Sequence, residues 1–374
     1  MEKKSFIGAL SVFIGTIVGV GIFGLPYIAL KSGFLLVIIY FLFLSIVAIF
    51  IHWLYAKVCL GTDGVHRFPG YIRQYLGKTW EKVSFLNLGV GLTGALLAYL
   101  IVGGEFLKLL FSNWFGGNSL IYSLIFFSFG SYLIFKGIKS VSQIETWLII
   151  ALFVLLFVFF IKTFPFINTD YFAAVNPKNF FLPYGVILFS LWGSALVPEV
   201  KEMLKGDGIA LKKLIIFGII ISTLIYLFFI YIIFGSCGNS TSKEAISGLS
   251  IVLGDNIIKF GFIFGVLACF TSFIALGLTL KKVFWYDFGF SKNLSWFIAC
   301  FLPLFLFLIG LREFIEIIGF IGAVAIGIEG ILVVFLYKQF LKQKYSYKMN
   351  PVYYLLSMLF ILGIVFEIFY FFNL

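Results

Sequence analysis

Long apolar segments separated by short polar ones recur along the whole chain. Each segment is close to the roughly 20 residues that a helix needs to cross a bilayer, whereas the short alternating segments of a membrane β-barrel do not occur. The pattern predicts an all-α polytopic membrane protein with about eleven transmembrane helices, at approximately residues 6–30, 34–57, 82–111, 119–136, 143–163, 183–204, 211–235, 257–285, 293–310, 314–337 and 351–372.

The first of these segments carries a run that disfavours a continuous helix. Residues 15–26 read GTIVGVGIFGLP, with four glycines and one proline. Glycine costs about 1 kcal/mol relative to alanine inside a helix, and proline removes a backbone donor. Open backbone is tolerated inside a membrane only where it is buried in protein or lines a cavity. The run therefore predicts a broken helix at the depth where a small polar solute can be held.

The sixth segment carries a second interruption at an equivalent place. Residues 189–199 read FSLWGSALVPE, with Gly193 and Pro198 inside an otherwise apolar stretch. Five segments precede residue 170 and five follow, so the second five are inverted relative to the first. We predict a first repeat over 1–170 with its break at 15–26, an inverted repeat over 171–340 with its break at 189–198, and an additional helix over 341–374.

Composition and charge placement support this class and set an orientation. The chain is 62% hydrophobic and 11% charged, against about 25% charged in soluble domains. With the N-terminus in the cytoplasm and the C-terminus outside, most of the 27 basic residues lie inside, as membrane insertion favours. The exceptions are Lys31, Lys108, Lys162, Lys178, Lys243, Lys259 and Arg312. The net charge of +11 therefore requires no nucleic-acid partner and predicts contact with lipid head groups. The expected location is a prokaryotic cell membrane.

Two broken helices present charges that match a zwitterion. The N-terminus of a half-helix exposes free N–H groups and about half a positive charge, which suits a carboxylate. Released carbonyls and half-helix C-termini suit an ammonium group or a sodium ion. An α-amino acid carries both charges within a few ångströms, so the paired breaks predict an amino acid site built from backbone atoms.

Four segments resemble those of known amino acid transporters. GTIVGVGIFGLPY (15–27) resembles the first-helix signature of the APC superfamily, closest to the amino acid/auxin permease family. AYLIVGGEFL (98–107), FSLWGSALVPEV (189–200) and ACFTSFIALGL (268–278) resemble that family's third-, sixth- and eighth-helix segments in the same order. The resemblance implies a five-plus-five inverted-repeat fold, as in the bacterial leucine transporter, that works by alternating access.

The same resemblance assigns a substrate site. The backbone N–H groups of Val20 and Gly21, with Gly19 beside them, are expected to bind the substrate carboxylate. The amino group is expected at the carbonyls of the second break, and two aromatic side chains are expected to wall the side-chain pocket. These residues are Phe189, Ser190 and Leu191 for the carbonyls, and Trp192 and Tyr99 for the wall.

The resemblance also implies a sodium site between the first and eighth spans. Its ligands are expected to be the carbonyls of Gly15, Val18 and Ala268 and the hydroxyls of Thr271 and Ser272. These five oxygens satisfy sodium without a charged side chain. The alternative is that the two hydroxyls bond back to their own helix, as Ser and Thr often do. No other cofactor is predicted.

Charged residues inside the spans are candidates for coupling or gating. Glu329, flanked by Gly327 and Gly330, is the candidate for a proton-sensitive carboxylate, with a structural hydrogen-bonding role as the alternative. Glu105 is expected to gate or to pair with a lysine, and Glu199 to close a cytoplasmic gate with a basic residue.

Other polar residues of the spans are expected to have no such role. Lys162 and Glu367 are expected to reach the outer interface. His52, placed near the cytoplasmic end of the second span, and His66, in a loop, are not expected to act chemically.

These observations favour a secondary active transporter of an amino acid with a neutral side chain, coupled to sodium or protons. The alternative is a non-transporting amino acid receptor or sensor with the same fold. A membrane enzyme is disfavoured because the chain has no His-Glu-x-x-His motif and no nucleophile elbow. No obligate protein partner is indicated.

Overall fold

The computed structural model describes residues 3–64, 66–137, 141–173, 176–346, 350–351 and 353–371. Its side chains are described except those of residues 3–5, 141–146, 255 and 287. The regular secondary structure of this part of the chain is all helical. Its helices are α1 (Lys3–Ile17), α2 (Gly21–Ser32), α3 (Phe34–Gly61), α4 (Phe68–Leu76), α5 (Lys78–Phe115), α6 (Ser119–Lys136), α7 (Val141–Thr163), α8 (Leu182–Ser190), α9 (Val197–Met203), α10 (Gly208–Cys237), α11 (Ser250–Leu253), α12 (Asp255–Lys282), α13 (Lys292–Leu308), α14 (Phe314–Phe320), α15 (Ile326–Tyr345) and α16 (Tyr353–Phe371).

The predicted fold class is confirmed. Among the described residues, nine helical segments are long and apolar enough to cross a membrane, and the bent pair α1 and α2 makes a tenth. The shorter apolar helix α13 coincides with the predicted ninth span and is separate from α14. These elements match the eleven predicted segments one for one. The predicted end of the last span, residue 372, lies outside the described residues.

The first break is narrower than the sequence predicts. α1 continues through Gly15 to Ile17, α2 begins at Gly21, and the two helices meet at 52°. Pro26 lies inside α2 and not in the break. A buried helix tolerates a proline because neighbouring helices satisfy the backbone groups that it frees. The unwound part is therefore limited to residues 18–20.

The second break lies within the predicted region. α8 ends at Ser190, a single 3-10 turn covers Ser194–Leu196, and α9 begins at Val197. Pro198 is the second residue of α9, where the missing N–H has no helical partner to lose. Pro198 therefore starts the second half-helix and does not interrupt the first.

The half-helix α8 packs tightly against the tenth span. A π-helical segment, Ile321–Ala325, joins α14 to α15 beside α8. Any side chain at Gly185 would clash with the carbonyl of Gly319, and one at Gly322 would clash with the carbonyl of Gly185. These glycines let two backbones touch, which holds the first half of the sixth span, α8, against the tenth.

Two further features were not predicted. The amphipathic helix α4 lies between α3 and α5 and buries Phe68, Tyr71 and Ile72. The connection from α10 to α12 contains the short helix α11 and packs on α10. Both belong to loops, where the apolar pattern of membrane spans carries no signal.

Candidate functional site

The first break begins where the hydrogen-bond ladder of α1 stops. In a continuing helix the amides of Gly19 and Val20 would donate to the carbonyls of Gly15 and Thr16. The Gly19 amide instead donates to the carbonyl of Ile17 at 2.8 Å, and the Val20 amide also leaves the ladder. The carbonyls at the end of α1 are thereby released, as the sequence predicts for a broken helix.

The second break releases backbone groups in the same way. The Gly193 amide would donate to the Phe189 carbonyl in a continuing helix, but it donates to Nε2 of His52 at 3.0 Å. The Trp192 amide makes a long contact, 3.4 Å, to the Phe189 carbonyl. The end of α8 therefore presents carbonyls that lack their ordinary helical donors.

A tyrosine from α10 joins the two breaks. Tyr226 is fully buried, and its Oη lies 2.6 Å from the carbonyl oxygen of Ile17 and 2.8 Å from that of Ser190. One hydroxyl proton serves both acceptors. The C-terminal ends of α1 and α8, each carrying partial negative charge, are thus held at a single point.

The N-terminus of α2 lies beside the same point. A side chain at Gly21 would clash with the hydroxyl of Ser190, and one at Gly19 would clash with the hydroxyl of Tyr99. Tyr99 Oη accepts a hydrogen bond from the Val20 amide at 3.2 Å. The predicted carboxylate and amine sites are therefore adjacent, and the Val20 amide reaches a substrate only if it gives up or shares Tyr99.

The predicted aromatic wall is divided between two places. Trp192 donates from Nε1 to Oε2 of Glu329 at 3.1 Å, and its ring meets the rings of His52 and Phe360. Tyr99 instead contacts the first break. In the described contacts the two rings have different neighbours, so their sharing of one substrate pocket stays a prediction.

Glu329 of α15 contacts the second break. Besides the indole of Trp192, it accepts a hydrogen bond from the hydroxyl of Ser194 on its other oxygen. The flanking glycines, Gly327 and Gly330, make room for Ile364 and Phe360 of α16. The carboxyl group is therefore a polar partner of the unwound segment, a contact that the sequence did not predict, and its proton-sensitive role stays a prediction.

The structure gives contacts for three of the predicted sodium ligands. The hydroxyl of Thr271 donates to the carbonyls of Leu267 and Ala268, at 3.1 and 3.2 Å, so two predicted ligands bond each other. The α-carbon of Gly15 faces Ile149 of α7. This hydroxyl bonding is the alternative that the sequence left open, and the sodium site stays a prediction.

The remaining acidic candidates have other surroundings. Glu105 pairs with Lys108 at 2.8 Å and accepts from the hydroxyl of Ser119 at 2.6 Å, which ties α5 to the start of α6. Glu199 is exposed near the start of α9, within electrostatic range of Arg67. These positions leave the gating roles as predictions.

Glu367 corrects a further expectation. It does not reach the outer interface: its side chain is buried, with 6% of the residue exposed, next to Gly319 of α14. Lys162 is exposed, as expected. α16 packs against α14 and the π-helical segment, and that packing covers the Glu367 carboxyl group.

An ion pair links two elements on the predicted outer side. Lys243, in the connection after α10, donates to the carboxylate of Glu313, the residue that precedes α14. This hydrogen bond raises the pKa of Lys243. Both side chains are more than half exposed.

Sequence reasoning missed three polar residues of the site. They are Tyr226, which contacts both breaks, His52, which contacts the second break, and Ser194, which lies in the second break and donates to Glu329. A signal was present for two of them, because a tyrosine or histidine buried within an apolar span needs a hydrogen-bond partner. The sequence does not say which helix supplies that partner.

Known proteins similar to this chain are amino acid transporters. A model of the tryptophan/tyrosine permease family matches residues 2–370. "Tyrosine-specific transport system 1" of Haemophilus influenzae is 24% identical over 291 residues, covering 74% of this chain and 72% of that protein. "Glutamine transporter 2" of Aliivibrio fischeri is 22% identical over 342 residues, covering 87% and 86%.

A solved structure shares the fold. The crystal structure of MhsT in complex with L-phenylalanine matches with a TM-score of 0.70 and 16% identity, covering 97% of each chain. The family model and the similar transporters confirm the resemblance to amino acid permeases, and the finer placement in the amino acid/auxin permease family stays a prediction.

Proposed function

Because the chain belongs to the tryptophan/tyrosine permease family, we propose that it is a secondary active transporter that moves a neutral amino acid across the membrane by alternating access. The observation that carries the proposal is the junction of the two breaks at Tyr226. Around it lie the N-terminus of α2 and the C-termini of α1 and α8, which together complement a zwitterion.

Each charge of the substrate has a place in this arrangement. The carboxylate binds at the amides of Val20 and Gly21, where α2 begins and no helical acceptor precedes them. The ammonium group binds at the carbonyls near Phe189 and Ser190, which have lost their ordinary helical donors. Both ends of the substrate are therefore recognised by backbone atoms, independently of its side chain.

A neutral side chain fits the residues around the breaks. Glu329 is the acidic group that contacts the second break, and both its oxygens are already engaged. The names of similar proteins specify tyrosine and glutamine, and MhsT was crystallised with L-phenylalanine. The first substrates to test are therefore L-tyrosine, L-tryptophan, L-phenylalanine and L-glutamine.

Coupling to protons is supported by the chemistry of Glu329. An indole N–H is a donor only, whereas a serine hydroxyl both donates and accepts. A proton on the Glu329 oxygen that faces Ser194 therefore reverses that hydrogen bond and preserves the one from Trp192. Proton binding would therefore change the hydrogen bonding of the second break at Ser194. Sodium coupling at Thr271 and Ser272 is the alternative.

Uptake into proteoliposomes tests the proposal. Radiolabelled substrates are offered to vesicles under an imposed proton gradient, an imposed sodium gradient, or neither. We expect accumulation above equilibrium with at least one gradient and none in protein-free vesicles. Binding of a substrate without accumulation under either gradient would favour a receptor, and neither binding nor accumulation across all twenty amino acids would refute the proposal.

A further inference from the structure

His52 is buried within an apolar span, and both its ring nitrogens have hydrogen-bond partners. It lies on α3, none of its surface is exposed, and its Nδ1 lies 2.6 Å from the carbonyl oxygen of Ala48. Its Nε2 lies 3.0 Å from the amide nitrogen of Gly193. An imidazole buried among apolar groups is costly unless its polar atoms are paired, and here each has one backbone partner.

These two partners fix the tautomer of the ring. A carbonyl only accepts and a backbone amide only donates. Nδ1 must therefore carry the proton toward Ala48, and Nε2 must present its lone pair to Gly193. His52 is thus a neutral acceptor aimed at the unwound backbone of the second break.

The ring is also held in place by its neighbours. It packs edge-on against Trp192, with ring centroids 5.0 Å apart, and against Phe13 of α1 at 6.1 Å. Gly193, which donates to the ring, is itself closely packed: a side chain on its α-carbon would clash with Ile17 of α1. Gly193 is therefore confined between α1 and the imidazole.

This contact has a consequence for the predicted substrate site. In a continuing helix the Gly193 amide would donate to the carbonyl of Phe189. His52 takes that amide, so the Phe189 carbonyl lacks its ordinary helical donor and accepts from nearer amides, that of Trp192 at 3.4 Å, on the side of the predicted ammonium site. If the Gly193 amide donated to the Phe189 carbonyl, it would compete with the substrate's ammonium group for that acceptor. Substrate binding would then lose part of a charge-assisted hydrogen bond and become weaker.

We propose that His52 is a positioning residue of the transport site: by accepting the Gly193 amide, it keeps the end of α8 unwound and its carbonyls available to the amino group of the substrate. This inference rests on the proposed function. It assigns to a residue of α3, outside both broken helices, a role in substrate affinity.

The first experiment reads the tautomer without any substrate. The chain has two histidines, so a His66→Asn variant labelled with 15N-histidine contains one imidazole. We expect the nitrogen chemical shifts of His52 to show Nδ1 protonated and Nε2 unprotonated at neutral pH. A protonated Nε2 would overturn the inference, because that atom then has no lone pair for Gly193.

The second experiment uses two variants that each retain one hydrogen bond. In His52→Asn the amide group sits where Nδ1 was, which keeps the bond to Ala48 and loses the acceptor for Gly193. In His52→Gln the side-chain oxygen reaches the place of Nε2, which keeps the acceptor for Gly193. A merely structural histidine would not distinguish these two variants by substrate affinity.

L-tyrosine uptake is measured for both variants and the wild type, after their thermal midpoints show that all three are folded. For His52→Asn we expect KM to rise about tenfold or more, with a smaller change in kcat, and for His52→Gln a KM within about threefold of wild type. Equal KM values in the two variants would overturn the inference. If the wild type transports none of the twenty amino acids, the proposed function fails, and the tautomer measurement alone decides whether His52 holds Gly193.

Discussion

Tyr226 Oη lies 2.8 Å from the carbonyl oxygen of Ser190, the last residue of α8. The same oxygen lies 2.6 Å from the carbonyl of Ile17, the last residue of α1. One hydroxyl from an unbroken helix therefore fixes the distance between the two interrupted spans. If the paired breaks form one site, this contact determines its geometry.

Removing this hydroxyl is expected to loosen both breaks. In Tyr226→Phe the carbonyls of Ile17 and Ser190 both lose the tyrosine hydroxyl as a donor, and Ile17 keeps the Gly19 amide; we expect a cost of about 1–3 kcal/mol. We expect a lower thermal midpoint and weaker binding of L-tyrosine, measured by thermal unfolding of the purified protein with and without the amino acid. The control is Tyr132→Phe, at a position 56% exposed on α6. A drop in the control as large as that in Tyr226→Phe would remove the special role of Tyr226.

The contact between α2 and α8 requires a glycine. A methyl group at Gly21 would clash with the hydroxyl and the β-carbon of Ser190. We expect Gly21→Ala to abolish uptake, since the breaks can no longer meet, whereas Gly8→Ala, in open space on α1, leaves uptake unchanged. The double variant with Ser190→Gly is expected to recover part of the activity. Failure of that double variant to exceed Gly21→Ala would show that the loss has another origin.

If protons are the coupling ion, a variant of Glu329 should lose proton-driven accumulation and keep substrate exchange. Glu329→Gln still offers an oxygen to Trp192 but no longer binds a proton near neutral pH. We expect it to lose accumulation driven by a proton gradient and to retain exchange of labelled for unlabelled L-tyrosine across the vesicle membrane. Glu329→Asp is the matched variant that keeps the titratable group. Proton-driven accumulation by Glu329→Gln at the wild-type rate would exclude this carboxyl as the coupling group.

The sequence predicted the spans and the existence of both breaks for a physical reason. A bilayer requires about 20 apolar residues per helix, and glycine or proline inside such a segment is a strong local signal. The exact limits of the first break did not follow, because Pro26 was assigned to unwound backbone although α2 contains it. Packing by neighbouring helices determines whether the backbone around Pro26 is helical, and the local sequence does not show that packing.

The candidate site was predicted only in part, for a similar reason. Backbone groups near Gly21 and Ser190 follow from the breaks themselves, which are local features. The partners that hold these breaks, Tyr226 and His52, come from α10 and α3, and their contacts span 209 and 141 residues of sequence. Such long-range pairs depend on how the helices are arranged, so the polarity of one residue indicates a need for a partner but not its identity.

The ion pair on the predicted outer side gives a pH prediction. The hydrogen bond to Glu313 raises the pKa of Lys243, so the lysine contribution is fully present below the ordinary lysine pKa and is lost as pH rises through the raised value. We expect the difference in thermal stability between wild type and Lys243→Gln to be small, under about 1 kcal/mol for an exposed pair. That difference should stay constant from about pH 7 to about pH 9. A difference that vanishes within this range would contradict the raised pKa.

Thr271 discriminates between the two coupling ions. Its hydroxyl bonds to the carbonyls of Leu267 and Ala268 on its own helix, so the described hydrogen bonds that Thr271→Val removes all lie within α12. If sodium binds there, the variant loses one of five expected ligands, and sodium-driven uptake of L-tyrosine needs a much higher sodium concentration. If protons are the coupling ion, uptake under a proton gradient is unchanged, because valine has nearly the same shape as threonine. We expect the second result, and we expect Ser272→Ala to behave in the same way. If the wild type requires sodium and both variants need a higher sodium concentration for the same uptake, this prediction is overturned and the sodium site between α1 and α12 is favoured.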